Sequence, residues 1–314
     1  MEEFEKLDLM VMAARMYYND GLAQFEIAKK LNISRPTVSR LLSEARQRKM
    51  VEVKINYPWR NDLVLEGELK TRFALQDAQV LITTDFNDND IHHGVGVMAA
   101  RLLDKYLKHG MTLAISRGKG VYSTIQQLRP RLELHVDVVQ IQGAMGDSLE
   151  DGSDIANFLR GCFTGKFHYL HAPLLLENPL SAEILLHDAS IRSTLDKARK
   201  ADIALIGIGT VDPLESNLLR HQLLTVAELE KMEVDGVVGD IAGRFFGMDG
   251  NELTENPINR RIVSLELDEI KKIPIVIGVA SGVAKVKSVR AALKAHNVNM
   301  LAVDSVIAHH LLSD

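Results

Sequence analysis

The 314-residue chain has a single cysteine, Cys162, one tryptophan and eight prolines. One thiol allows no internal disulfide, and nothing points to an oxidising compartment. No run of about 18 apolar residues is present, so a membrane-spanning helix is not expected. The opening residues, Met1-Glu2-Glu3-Phe4-Glu5, are acidic and do not read as a signal peptide. Together these absences predict a cytoplasmic protein. There is no internal repeat and no low-complexity tract. An HExxH or paired-cysteine metal signature is missing, and so is the Gly-x4-Gly-Lys-Ser/Thr phosphate loop. Neither a metal nor a cofactor is therefore expected.

What is present is an ordinary soluble composition, 46% hydrophobic, long enough for two domains or for one large α/β domain with an appendage. The net charge of −5 argues weakly against nucleic acid, but its distribution argues the other way. Residues 1–60 carry 11 Lys+Arg against 8 Asp+Glu, and the remainder carries 26 against 34. Between 29 and 49, Lys29, Lys30, Arg35, Arg40, Arg46, Arg48 and Lys49 face one acid, Glu44. A basic island on an acidic protein is the footprint of a small DNA-reading module attached to a metabolite-handling body. A merely solvated helix face is the competing reading.

Residues 8–19 read as a helix with Leu9, Met12, Ala13, Met16 and Tyr17 on one stripe, ended by Asp20-Gly21. Gln24–Leu31 reads as a second, short helix. Ser34 is placed to cap a third by accepting from the backbone N–H of Thr37, with Pro36 in its first turn. Ile33, Val38 and Leu41 then face the core, and Arg35, Thr37, Ser39 and Arg40 face solvent. Two helices joined by a tight turn in this way fit a helix-turn-helix. The N-terminal end of its second helix enters the major groove, where arginine can bind guanine bidentately. Ser34 and Gln24 suit phosphate contacts better. A hairpin used only for packing is the alternative, and it would leave the arginines without a purpose. Tyr17 is assigned to the core, and Tyr18 is left unassigned. Val51–Ile55 alternates like a strand, and residues 57–62 read as a linker.

Beyond the linker, short apolar runs at 78–83, 111–116, 136–141, 202–209, 274–280 and 299–304 read as strands buried on both faces. Helical patterns at 91–108, 119–129, 190–200 and 284–296 separate several of them. This is the rhythm of a doubly wound parallel sheet.

The segment "AARMYYNDGLAQFEIAKKLNISRPTVSRLLSEAR" resembles the N-terminus of the SorC family of sugar-responsive bacterial transcription regulators. "DIALIGIGT", "VGDIAGRFFGMDGN" and "IGVASGVAKVKSVRAAL" resemble later blocks of that family in the same order, so the likeness covers nearly the whole chain. It implies an N-terminal helix-turn-helix domain at 1–56, with or without a wing, and a linker at 57–62. It further implies a large α/β Rossmann-like, phosphosugar-isomerase-type effector domain at 63–314. Operator DNA, a phosphorylated sugar effector and a homo-oligomer, dimer or tetramer, are the implied partners.

For the effector site the residues themselves offer a glycine-bearing loop between a strand and a helix, Ser116-Arg117-Gly118-Lys119-Gly120-Val121-Tyr122-Ser123-Thr124. Backbone amides at a helix start favour an anion, and Lys119 and Arg117 add positive charge. A plain strand–helix turn is the alternative. Asp240 can accept from sugar hydroxyls or merely cap the turn that follows it. Lys285 lies about one turn beyond a buried strand, where open α/β sheets bind ligands, although a lone lysine is as readily solvated. The resemblance places phosphate binding in the 116–124 loop and assigns Asp240 and Lys285 to the site. Family members often carry tryptophan where Arg117 stands, so the backbone role carries over better than the side-chain contacts. The loop 143–152 follows another strand end and is a candidate lid. Cys162 reads as an apolar filler.

A sugar-phosphate isomerase-like enzyme carrying a helix-turn-helix is the runner-up. Isomerisation needs a positioned base and often a ring-opening histidine. The pairs His92-His93 and His309-His310 lie in helical patterns rather than strand-end loops, and no catalytic residue is assigned.

Overall fold

The structure, a computed structural model, describes residues 3–51, 59–84, 86–146 and 153–313. The chain separates into two compact units, residues 1–58 and 59–314.

The first unit holds three helices among its described residues: α1 (Glu3–Tyr18), α2 (Gln24–Lys30) and α3 (Arg35–Gln47). α1 and α3 each bury a row at i, i+3 and i+4 spacing, and the short α2 buries Ile27 and Ala28. Met10, Ala13 and Ala14 meet Ile27 and Ala28, and both sets meet Val38, Leu41, Leu42 and Ala45. The alanines keep the three backbones close. Met12, expected on the buried stripe, is instead 47% exposed. The packed face follows Met10, Ala13, Ala14 and Tyr17, a row displaced from the expected one, with Leu9 and Met16 at its border. Ile33, expected in the core, is half-buried at the edge of the same cluster. Gly21 ends α1 at φ +68, and the Leu22 N–H reaches back to the Met16 carbonyl at 3.0 Å. Past Val51, the expected strand Val51–Ile55 lies outside the described residues, and any wing lies there with it.

The second unit contains nine strands among the described residues: β1 (Asp77–Leu81), β2 (Thr112–Ile115), β3 (Asp137–Gln140), β4 (Phe167–His168), β5 (Ile203–Gly207), β6 (Val237–Ile241), β7 (Arg244–Gly247), β8 (Ile275–Val279) and β9 (Met300–Asp304). Seven of them form one parallel sheet in the order β1-β9-β8-β5-β2-β3-β4. The six apolar runs of the sequence are β1, β2, β3, β5, β8 and β9. The helices are α4 (Leu63–Phe73), α5 (Asp88–Tyr106), α6 (Lys119–Gln126), α7 (Ser153–Cys162), α8 (Pro179–His187), α9 (Ala189–Arg199), α10 (Asn217–Arg220), α11 (Val226–Val234), α12 (Leu267–Ile270), α13 (Val286–Lys294) and α14 (Ser305–Ser313).

Both faces of the sheet are covered. On one, Leu102 and Leu103 of α5, Ile125 of α6 and Leu159 of α7 pack on the strands. On the other, Leu69 of α4, Leu195 of α9, Val289 of α13 and Ile307 of α14 do so. Cys162 is buried in the first of these layers, and burial holds its thiol above its ordinary pKa. Part of the expected linker belongs to this unit. The Asp62 N–H donates to the Val80 carbonyl at 2.8 Å, and the Ile82 N–H donates to that of Arg60 at 3.0 Å. Trp59 packs where Gly94 leaves room, since a Cβ there would lie 2.8 Å from the Trp59 ring.

The segment "VVGDIAGRFF", which yields no strand in the sequence reading, is the antiparallel hairpin β6–β7, with Asp240 opposite Phe245. Ala242 and Gly243 make its two-residue turn, both at positive φ, as a tight hairpin with right-handed twist requires. The glycines at 239 and 243 break the alternation by which strands are recognised.

The strand order fixes where a ligand can bind. From β2 the chain moves outward through β3 and β4. It then returns to β5 on the other side of β2 and moves out through β8 and β9. The connections diverge between β2 and β5, and at such a switch point the carboxyl ends of the strands open a crevice.

Candidate functional site

Two groups of residues are candidates for functional chemistry, one in each unit. In the first, Ser34 caps α3: its Oγ accepts from the Thr37 N–H at 3.3 Å and lies 2.8 Å from Thr37 Oγ1. Asn32, at φ +52, turns the chain between α2 and α3. Arg35, Ser39 and Arg40 are exposed on α3, while Gln24 and Thr37 are half-buried. Neither arginine has an acidic partner among the described residues. Glu44, the one acid in this stretch, is held by Lys6 and Arg48, both at 2.8 Å. The hydrogen bond from Lys6 leads in keeping its carboxyl below the ordinary value, so it stays ionised and paired. Tyr18 turns away from the arginines of the α3 start. Its hydroxyl accepts from Arg46 Nε at 2.6 Å. The face left open is cationic and hydroxyl-bearing, which suits phosphates and base edges.

In the second unit a cleft lies over the carboxyl ends of β2, β5 and β8. It is lined by Gly118, Lys119, Gly120, Asn217, Asp240 and Lys285, among others. Gly118, at φ 122, starts α6 with no side-chain cap, so the first amides of that helix have no side chain to serve. The helix begins at Lys119, where the 119–129 pattern puts it, so the second half of the loop 116–124 is helical. Behind it, Ser116 Oγ accepts from the Gly207 N–H at 3.1 Å, and Gln142 Oε1 accepts from the Arg117 N–H at 3.2 Å. These bonds tie the ends of β2, β3 and β5 into one floor.

Asp240 is fixed from two directions. Its Oδ2 accepts from the Gly243 N–H at 3.2 Å, and its carbonyl accepts from the Gly209 N–H at 2.8 Å. A Cβ on Gly209 would lie 2.0 Å from Asp240 Oδ1, so only glycine lets the strand end pass beneath the acid. Asn217 stands over Gly118, where a Cβ would meet its Nδ2 at 2.8 Å. Its Oδ1 is occupied by Arg220 Nη1 at 2.7 Å, which leaves the amide nitrogen as the group turned to the cleft.

The ionisable groups here are strongly influenced by burial. Burial pushes the Asp240 carboxyl up to about 6, against the pull of the Gly243 amide and Lys285. Lys285 is held below its ordinary value, first by burial and then by Arg220 and Lys119, while Glu215 and Asp240 oppose the shift. Lys119, Arg220 and Lys285 outnumber Asp240 and Glu215 by one, and a local excess of positive charge favours an added anion. The interior is narrow, about 30 Å³, enough for one or two waters.

Of the expected effector residues, Gly118, Lys119, Gly120, Asp240 and Lys285 come together on this cleft. Ser116 serves the floor. Val121 is fully buried in the core, and Tyr122 packs against that same core. The candidate lid 143–152 lies, past Gly146, outside the described residues. Asp240 turns out to cap its turn and line the cleft at once, so the two readings of that residue are compatible. Gln142, Asn217 and His92 were not anticipated as site residues. His92 lies on α5, with Nδ1 hydrogen-bonded to Ser281 Oγ beyond the end of β8. None of the three carries a local signature, since each is brought in by the strand order.

Comparison with known proteins gives a consistent result. The sugar-binding domain family model matches residues 57–313. The transcriptional regulator LsrR of Klebsiella pneumoniae is 32% identical over 308 residues, covering 98% of this chain and 93% of the relative. The deoxyribonucleoside regulator of Bacillus subtilis is 30% identical over 312 residues, covering 99% of each. The crystal structure of the full-length sorbitol operon regulator SorC from Klebsiella pneumoniae superposes with a TM-score of 0.75 at 26% identity, covering 99% of both chains. The chain belongs to the SorC family of transcriptional regulators with a sugar-binding domain, and it is a regulator rather than an enzyme.

Proposed function

We propose that the chain is a sequence-specific DNA-binding regulator of a carbohydrate catabolic operon, controlled by a phosphorylated sugar. Residues 1–56 are assigned to a helix-turn-helix that reads operator DNA in the cytoplasm. The chain from Trp59 onward is assigned to effector binding and oligomerisation. Arg35, Thr37, Ser39 and Arg40 are assigned to the major groove, and Gln24 and Ser34 to the phosphate backbone.

The observation that carries the effector reading is the meeting of Lys119, Lys285 and the uncapped start of α6 opposite Asp240. Amides and ammonium groups suit a phosphate, and a half-buried carboxylate suits sugar hydroxyls. The interior of the cleft is tight at about 30 Å³, so a sugar phosphate that spreads its walls would select a rearranged effector domain. A ligand that favours one arrangement of a homo-oligomer over another shifts the spacing of its recognition helices, and hence its DNA affinity.

The test is a thermal-shift comparison of the full chain with sugar phosphates and their unphosphorylated parents. Only the phosphorylated members of a pair should stabilise it. Lys285→Ala should abolish the shift and keep operator binding. Equal shifts from both members of every pair would remove the phosphate from the reading.

A further inference from the structure

His92 is half-buried on α5, four residues into that helix, and belongs to neither of the sites expected from sequence. Its Nδ1 is hydrogen-bonded to Ser281 Oγ, and Ser281 is buried. The next residue, Gly282, is anchored in turn: its N–H donates to Asp304 Oδ2 at 2.7 Å. Lys285 closes the short turn Val283–Lys285 that follows. The imidazole thus holds the segment that carries the cleft lysine. On its other side, the carbonyl of His92 accepts from Ser123 Oγ of α6 at 3.1 Å, so the same residue also touches the helix whose start forms the cradle.

The charged groups acting on this ring come from every neighbouring element. Lys285 lies on the turn after β8, Lys119 on α6, Glu215 in the segment after β5 and Asp88 on α5 itself. Asp304 stands behind Ser281 and Gly282. Burial leads in keeping the ring neutral, and the two lysines add to that effect against Glu215 and Asp88. An anion placed between Lys119 and Lys285 offsets the part of this effect that the two lysines supply.

We propose that His92 is a positioning residue of the effector site that takes up a proton when an anion occupies the cleft, so that anion binding and protonation of this ring are one linked event. The inference rests on the phosphate reading of the cleft. The proton comes from solvent, and no bond other than N–H is made. By linkage, the affinity for a permanently divalent anion rises as pH falls, by up to tenfold per pH unit for one proton. The rise falls in the window around and below the ordinary imidazole value of about 6.5.

Sulfate is the probe, since it stays divalent where phosphate itself titrates. The full chain is titrated by NMR of its imidazole resonances with and without sulfate, and His92→Asn identifies the His92 signal. Asparagine keeps a group at the Nδ1 position for Ser281. Sulfate should move the His92 midpoint upward, and thermal-shift affinity for sulfate should rise from about pH 7 down to about pH 5, across the imidazole range. His92→Asn should lose most of that rise, whereas Asp240→Asn, which removes the carboxyl that burial pushes up to about 6, should retain it. An unmoved midpoint with sulfate bound would overturn the inference and leave the phosphate cleft standing, as would an undiminished pH dependence in His92→Asn. Absence of sulfate stabilisation at every pH would overturn both.

Discussion

The two units handle charge in opposite ways. On the first, Arg35 and Arg40 are exposed and have no acidic partner among the described residues, while the one nearby acid is already paired. In the second, Asp240, Lys285 and His92 are half-buried, and burial is the leading cause of each displaced pKa. On the proposed reading, an exposed surface of this kind meets a partner that brings its own charge from solvent, and a half-buried cluster stays poised until a ligand supplies the missing charge. That reading separates a recognition surface from a sensing site whose groups act on one another.

The largest expected effect strikes at the buried half of that contrast. Gly209→Val puts a Cβ where Asp240 Oδ1 now lies 2.0 Å away, and both the strand end and the hairpin are held by backbone bonds. Overpacking at such a point should cost about 3 kcal/mol, read as an earlier denaturation midpoint of the full chain, together with loss of the sugar-phosphate shift. An unchanged midpoint would mean that Asp240 is loosely held and that the site is not preorganised. A smaller effect belongs to the exposed half. Arg35→Ala or Arg40→Ala should weaken binding to the cognate operator by about 2 kcal/mol and leave thermal stability alone. If operator affinity is unmoved, that arginine reads no base. If stability falls as well, the side chain is part of the packing and the contrast between the units weakens.

The first unit was largely legible in the sequence because its signals are local. Ser34 and Thr37 are three residues apart, Gly21 follows its helix directly, and the charge excess lies within one stretch. Met12 was misplaced because a helix that is apolar on several rows does not announce which row meets its neighbours. The sheet was legible for a different reason: fully buried strands such as Ile203–Gly207 are unbroken apolar runs. The cleft was legible only in part. Lys119 and the glycines of its loop are contiguous and were found. Asp240 and Lys285 depended on a family likeness. Gln142, Asn217 and His92 come from three further segments, and no spacing rule links residue 92 to residue 281. The hairpin was hidden because the glycines that allow its turn and its close approach to β5 also remove the side chains that would mark it as a strand.

The smallest expected effect is the most discriminating, because Ser34 has been given two roles. As the cap of α3, its loss in Ser34→Ala should cost about 1 kcal/mol of stability in the first unit. As a phosphate contact, its loss should weaken DNA binding evenly across sequences and reduce the salt dependence. The two roles separate in Ser34→Asp. A carboxylate caps a helix as well as a hydroxyl does and is favoured by the helix dipole, so stability should return. The same carboxylate repels DNA phosphates, so affinity should fall below that of Ser34→Ala, and more steeply at low salt. If Ser34→Asp regained both stability and operator affinity, Ser34 would be a cap alone, and the contact with DNA would begin at Arg35.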